Sequence, residues 1–103
     1  MEKPRVYIDI PIIKDDEIDF EWHYEYDYPA RAIIFTRRVN VEPLNVGYWI
    51  EERFKPTLDG GQDRVKFDKK DLQGGGGADI TLKLLNVTKD DFGYIYTCKC
   101  VFD

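Results

Sequence analysis

From Ile18 to Asp27 the chain alternates without a break. Ile18, Phe20, Trp22, Tyr24 and Tyr26 hold the even positions, and Asp19, Glu21, His23, Glu25 and Asp27 the odd ones. Successive side chains of a strand point to opposite faces, whereas a helix would smear both sets around its axis. The segment is therefore a long β-strand with an aromatic face and a charged face.

A period of two runs through much of the rest. Val6, Ile8, Ile10 and Ile12 alternate with Tyr7, Asp9 and Pro11. Pro11 cannot donate to a ladder, so that strand lies at an edge or ends there. Ala32 to Thr36 is an apolar strand, followed by Arg37 and Arg38. Val39 to Asn45 reads as strand or extended loop, and Gly47 to Phe54 as a short strand or a helical turn. Asp59-Gly60-Gly61 is a turn. Arg64 to Phe67 is a short strand, Asp68 to Leu72 is polar, and Gly74 to Gly77 is a hairpin loop. Ile80, Leu82 and Leu84 alternate with Thr81, Lys83 and Leu85. After a turn over 86–91, Tyr94, Tyr96, Cys98 and Cys100 share one face. About seven short strands with no long helix make an all-β sandwich or barrel.

The chain of 103 residues suits one domain, 1–103. Aromatic residues reach 15%, which fits half-buried pleated surfaces. With 20 acidic and 15 basic residues the net charge is −5. Nucleic-acid binding needs a basic surface, so it is not expected. No apolar stretch nears the ~20 residues that span a bilayer, and no apolar h-region follows Met1, so neither membrane insertion nor a leader is expected within these residues.

Catalysis finds little to work with. There is one histidine, no serine and no Gly-x-Ser-x-Gly. His23 with Cys98 or Cys100 can be drawn as a dyad, but inward cysteines on a strand read as buried apolar residues. Those two cysteines point to the same face at a spacing unsuited to a relaxed disulfide. The glycine run lacks the Lys-Ser/Thr of a phosphate loop. The carboxylates at 15, 16, 17, 19 and 21 lack the spacing and central Gly of a calcium loop. No catalytic group, cofactor or metal is expected.

The stretch from Leu85 to Cys98 resembles the E–F corner and F strand of immunoglobulin variable-type domains. That family carries an Asp, a small residue two positions on, and a Tyr two before a Cys. Asp91, Gly93, Tyr96 and Cys98 supply these parts. Glycine permits the tight turn, and the Tyr hydroxyl bonds back to the backbone to pin the corner. One extra residue between Gly93 and Tyr96 implies a bulge or a shifted register. The resemblance makes Trp22 the family's core Trp on strand C, reads 63–67 as strand D, and pairs Arg64 with Asp91. The strand before Asn86-Val87-Thr88 is similar to sodium-channel β subunits and myelin protein zero. A two-sheet antiparallel immunoglobulin-like β-sandwich follows from the resemblance.

Two departures accompany it. The expected strand B, Val6 to Ile12, has Ile8 or Ile10 where the family has a Cys. An inter-sheet bridge is worth about 2–5 kcal/mol, so aliphatic packing or a partner must compensate. No strand G follows Cys100 within the chain. Strand F is therefore expected to be an unpaired edge, leaving the sandwich incomplete there: either the sequence is a piece of a longer chain, or another chain supplies the missing strand by β-augmentation, or the domain is a diverged immunoglobulin-like one with its own topology.

The resemblance implies a non-catalytic recognition or adhesion domain, part of a cell-surface ectodomain. Its partner is another protein or a second copy, met through the C–C′–F sheet or the strand F edge. On this reading Glu21, His23, Glu25, Arg37 and Lys99 form the partner surface; a plain solvated face is the alternative. Glu21 and Glu25 flank His23, which implies a charge sensitive to mildly acidic pH. Asn86 opens a glycosylation sequon in a surface turn, or is a plain polar turn residue. A phage, viral or intracellular structural β-sandwich acting in assembly is the second reading, since it accounts for the missing bridge and leader. A carbohydrate module stacking sugars on Tyr28, Tyr48 and Trp49 is the third.

Overall fold

A computed structural model describes residues 4–102. Nine strands follow one another: β1 (Arg5–Ile8), β2 (Ile12–Lys14), β3 (Glu17–Glu25), β4 (Ala30–Arg38), β5 (Leu44–Ile50), β6 (Arg53–Pro56), β7 (Val65–Asp71), β8 (Gly77–Leu84) and β9 (Ile95–Phe102). They form two antiparallel sheets. In the first, β1 and β2 lie along one side of β3, β8 along the other, and β7 beyond β8. The second has the order β6-β5-β4-β9. The fold is an all-β immunoglobulin-like sandwich. In that family's lettering the sheets read A-B-E-D and C″-C′-C-F.

The alternation from Ile18 to Tyr24 turns its apolar set inward, where Ile18, Phe20, Trp22 and Tyr24 are all buried. From across the sandwich Ile33 and Phe35 of β4 and Val46 and Trp49 of β5 meet them. Aromatic rings cross the interlayer: Phe20 lies 4.6 Å from Tyr96, Trp22 5.4 Å from Phe35, and Tyr24 5.2 Å from Phe102. Each large side chain so buried contributes roughly 1.5–3 kcal/mol.

Two strand assignments need correcting. The Trp22 strand pairs with β8 and with the N-terminal strands, so it occupies the strand B place, not strand C. Val6 to Ile12 is accordingly strand A, broken in two at Pro11. All of its residues are exposed, Ile10 to 89%. Aliphatic packing at Ile8 or Ile10 therefore does not stand in for the family's bridge. The rings of Phe20 and Trp22 on strand B fill that layer instead.

The turns explain other differences from the sequence reading. Glu51 and Glu52 both take positive φ, 52° and 62°, making a tight hairpin turn between β5 and β6. No Gly or Asn advertises it, which is why strand and helical turn could not be told apart. The polar run Asp68 to Asp71 extends β7, because its alternate side chains face water. Across the β7–β8 hairpin Leu72 N–H donates to Gly77 O at 3.0 Å. Gly77 has φ 145°, and a Cβ there would sit 2.0 Å from the Tyr24 carbonyl oxygen. Only glycine fits that close approach.

Candidate functional site

The E–F corner is built around one buried carboxylate. Asp91 ends a short 3₁₀ turn, Lys89–Asp91, that Thr88 caps. The Thr88 backbone N–H donates to Asp91 Oδ2 at 2.9 Å. Arg64 Nη2 donates to both Asp91 oxygens at 2.8 Å, and its Nε donates to the Leu85 carbonyl. Arg37 Nη1 adds a bond of 2.9 Å. Tyr96 Oη donates to the Asp91 backbone carbonyl at 2.7 Å. Burial alone would raise the Asp91 pKa. Thr88 N–H, Arg37 and Arg64 outweigh it and hold the carboxyl below its ordinary value. Burial raises the Tyr96 hydroxyl above its ordinary value, so it stays a donor. Gly93 turns the chain with φ 88°. The β4–β9 ladder then runs unshifted from Arg38↔Ile95 to Ile33↔Cys100. The extra residue before Tyr96 is thus absorbed in the turn and makes no bulge there.

Arg37 belongs to this corner and not to a partner surface. It shares the inward parity of Ile33 and Phe35, its side chain is 12% exposed, and its guanidinium lies over the Tyr94 ring at 4.2 Å. Glu21, His23 and Glu25 lie on β3 in the first sheet, whereas Lys99 lies on β9 in the second. The five residues expected to form one surface fall on two outer faces and a buried corner. Nor do Tyr48 and Trp49 form a sugar platform. As strand neighbours they point to opposite faces, and Trp49 is buried.

Cross-strand partners share a face, so the ladders define both outer surfaces. On the first sheet Asp19, Lys83 and Lys66 form one row, Glu21, Thr81 and Asp68 the next, and His23, Asp79 and Lys70 the third. Nearly every position there is charged. On the second sheet the rows are Arg53–Ile50–Ala32–Val101, Lys55–Tyr48–Ile34–Lys99 and Asn45–Thr36–Thr97. Arg38 and Ile95 close that face. Its strands present apolar, hydroxyl, amide and basic groups outward, and no carboxylate.

His23 is the centre of the charged face. Its protonated ring donates from Nε2 to Asp9 Oδ2 at 2.7 Å and from Nδ1 to Asp79 Oδ1 at 2.5 Å. Asp9 sits in the link between β1 and β2, held by its backbone N–H on the Glu21 carbonyl at 2.9 Å. Asp79 lies directly opposite His23 on β8. The bonds to Asp9 and Asp79 raise the His23 pKa to about 9. The responsible carboxylates are therefore not Glu21 and Glu25, and the ring keeps its charge through the mildly acidic and neutral range where a switch was expected.

Cys98 and Cys100 are free thiols on the inward side of β9. The bond to Cys100, with burial, raises the Cys98 thiol above its ordinary value, and the same bond lowers Cys100. His23 faces outward from the other sheet, so the dyad with either cysteine does not form. Asn86 is exposed at φ 51°, and its Nδ2 donates to the Asp63 carbonyl at 3.0 Å. Among the described residues β9 pairs with β4 alone and forms the edge of its sheet. No helix among them is long and apolar enough to cross a membrane.

No protein-family model matches the chain, and no curated protein matches its sequence. A solved structure does. The crystal structure of a strand-swapped CTLA-4 from the duckbill platypus superposes with a TM-score of 0.55 at 15% identity, covering 99% of this chain and 82% of that one. The likeness is one of fold, and it agrees with the immunoglobulin-like sandwich built from the strands above.

Proposed function

We propose that the chain is a non-catalytic recognition domain that binds a protein partner through the outer face of the β6-β5-β4-β9 sheet. The observation that carries this reading is the contrast between the two outer faces. Ile34, Tyr48, Ile50 and Val101 share the second face with Arg38, Arg53, Lys55 and Lys99, and its strands present no carboxylate outward. An aromatic and aliphatic centre with a basic margin has the make-up of a protein interface, where aromatic and Arg groups anchor and charge steers. The matching partner is a protein with an apolar centre and an acidic rim. The immunoglobulin-like fold supports a recognition role, and a place at the cell surface with a glycan on Asn86 goes with it. Of the five residues the sequence nominated, Lys99 alone belongs to this surface.

The test is site-specific photo-crosslinking in the native host, with a crosslinker at Thr97 on this face and at Thr81 on the other. The reading expects one defined protein adduct from Thr97. The purified adduct partner should bind the wild type and lose tenfold or more affinity to Tyr48→Asp or Ile34→Asp, whereas Glu25→Gln leaves it unchanged. A partner captured only from Thr81, or one indifferent to Tyr48→Asp, overturns the reading.

The lack of an inter-sheet disulfide among the described residues favours a second reading, an intracellular or virion sandwich acting in assembly, because reducing compartments make no use of such bridges. Enzymatic removal of N-glycans separates the two. A mass shift that depends on Asn86 places the chain in the secretory route and removes this alternative.

A further inference from the structure

The charged face holds a group that recognition through the other sheet does not use. One ligand atom from each of Asp9, Glu21 and His23 lies within 4.8 Å of the other two. The three reach this point by different routes. His23 and Glu21 stand two apart on β3 and share its outer face. Asp9 arrives from the β1–β2 link, pinned by its backbone N–H to the Glu21 carbonyl. Asp79 stands behind the ring, 2.5 Å from Nδ1.

We propose that Asp9, Glu21 and His23 form a binding site for a divalent transition-metal ion of the zinc type, with Asp79 as the carboxylate that orients the imidazole. The chemistry of the donors selects the ion. One imidazole nitrogen and two carboxylate oxygens suit zinc and its neighbours, whereas magnesium and calcium prefer all-oxygen sets. The ring orientation is the one a metal-bound histidine needs. Asp79 fixes the proton on Nδ1, which leaves Nε2 to point at Asp9, with a Glu21 oxygen within reach of the group. A histidine held this way by a carboxylate is the usual outer shell of a zinc ligand.

The distances require little movement. Tetrahedral zinc with donors at 2.0–2.1 Å places those donors about 3.3 Å apart. His23 Nε2 and Asp9 Oδ2 stand at 2.7 Å around a proton and need to separate by roughly half an ångström once the ion replaces it. Glu21 closes from within 4.8 Å by a side-chain rotation on an open face. Asp9, His23 and Asp79 are each partly exposed, with side chains 54%, 37% and 48% accessible, so ion and water reach the site, and water fills the fourth position. Charge favours the ion too. Three carboxylates surround a single imidazolium, with Lys70 opposite Asp79 as a cross-strand offset. This inference stands apart from the recognition reading, and either survives the failure of the other.

The chain has one histidine, so its ring resonances report the site directly. The experiment titrates the wild-type chain with zinc chloride, and separately with magnesium chloride, following the imidazole nitrogens by NMR and stoichiometry by calorimetry. The expected result is a saturable shift at Nε2 that completes at one zinc per chain and no response to magnesium. Asp9→Asn and Glu21→Gln should each weaken zinc by tenfold or more, and Asp79→Asn by about 10–100-fold. All three positions lie on the surface, and an unchanged circular dichroism spectrum checks their fold. Zinc that leaves the ring unmoved, as it would if the thiols of β9 took it, overturns the assignment. So does a zinc affinity that Asp9→Asn and Glu21→Gln both leave unchanged.

Discussion

Two of the ion clusters among the described residues are alike in make-up and opposite in sign. At the corner a carboxylate, Asp91, sits between two guanidiniums, Arg37 and Arg64. On the face of the first sheet an imidazolium, His23, sits between two carboxylates, Asp9 and Asp79. Both join three separate segments of chain. They differ in water. Asp91 is 4% exposed, whereas every member of the His23 cluster is open to solvent. Screening makes exposed pairs worth about 0–1 kcal/mol, while a buried charge stripped of its partner is strongly destabilising. The corner therefore holds the fold, and the face is left to chemistry that needs access.

The sharpest way to break this contrast is Asp91→Asn. It leaves two partly buried guanidiniums, 12% and 21% exposed, facing a neutral group and should cost up to about 3–5 kcal/mol, read as a fall in the chemical-denaturation midpoint. The acid limb should change too. The folded Asp91 pKa is depressed, so its contribution is present above the unfolded carboxyl value of about 3.9 and is lost as pH falls through the folded value. Wild type should lose stability steeply below about pH 4, and Asp91→Asn should lose less across that interval. An acid limb of equal slope in the two proteins would show that other carboxylates carry it.

Tyr96→Phe probes the same corner more gently. It removes the bond to the Asp91 carbonyl and the one that the Tyr96 oxygen accepts from Arg37 at 3.3 Å, while leaving the ring against Phe20. The expected loss is about 1–2 kcal/mol, the scale of a hydrogen bond whose partner stays buried. A neutral outcome would mean that water replaces the hydroxyl, and that the corner is wetter than the face comparison assumes.

How far each cluster can be read from sequence differs for the same physical reason. The corner is local: Thr88, Asp91, Gly93 and Tyr96 lie within one turn and its following strand, and the spacing of the last three with Cys98 carries the resemblance. Arg64 enters it from the position just before β7, a strand recognisable in the sequence. Arg37 was legible as well, since it keeps the parity of Ile33 and Phe35, but its charge suggested a wet face. The His23 cluster is long-range. Asp79 meets His23 only through the β3–β8 register, and Asp9 only through the register in which β1 and β2 run along β3. The same limit moved Trp22 from strand C to strand B. An alternating pattern states that a strand exists and which side is dry. Its letter depends on which strands flank it, and no short-range signal carries that. The contrast between apolar and charged outer faces was likewise out of reach before the pairing of β4, β5 and β9 was known.

The smallest expected effect is at His23. Its pKa is raised from 6.5 to about 9, so the stability it adds is full below about 6.5 and is lost as pH rises through about 9. In metal-free protein its ring resonances should titrate near pH 9 and stay flat from pH 5 to 7. His23→Gln should then leave stability at pH 6 lower by less than about 1 kcal/mol, because the cluster is solvated, and should flatten the decline between pH 7 and 10. The two clusters would thus fail at opposite ends of the pH scale, the corner in acid and the face in base. A ring that titrates near its ordinary value instead would mean that Asp9 and Asp79 are not held in place on the face. The site proposed there would then have to be assembled by the ion itself, at a cost in affinity that the zinc titration measures.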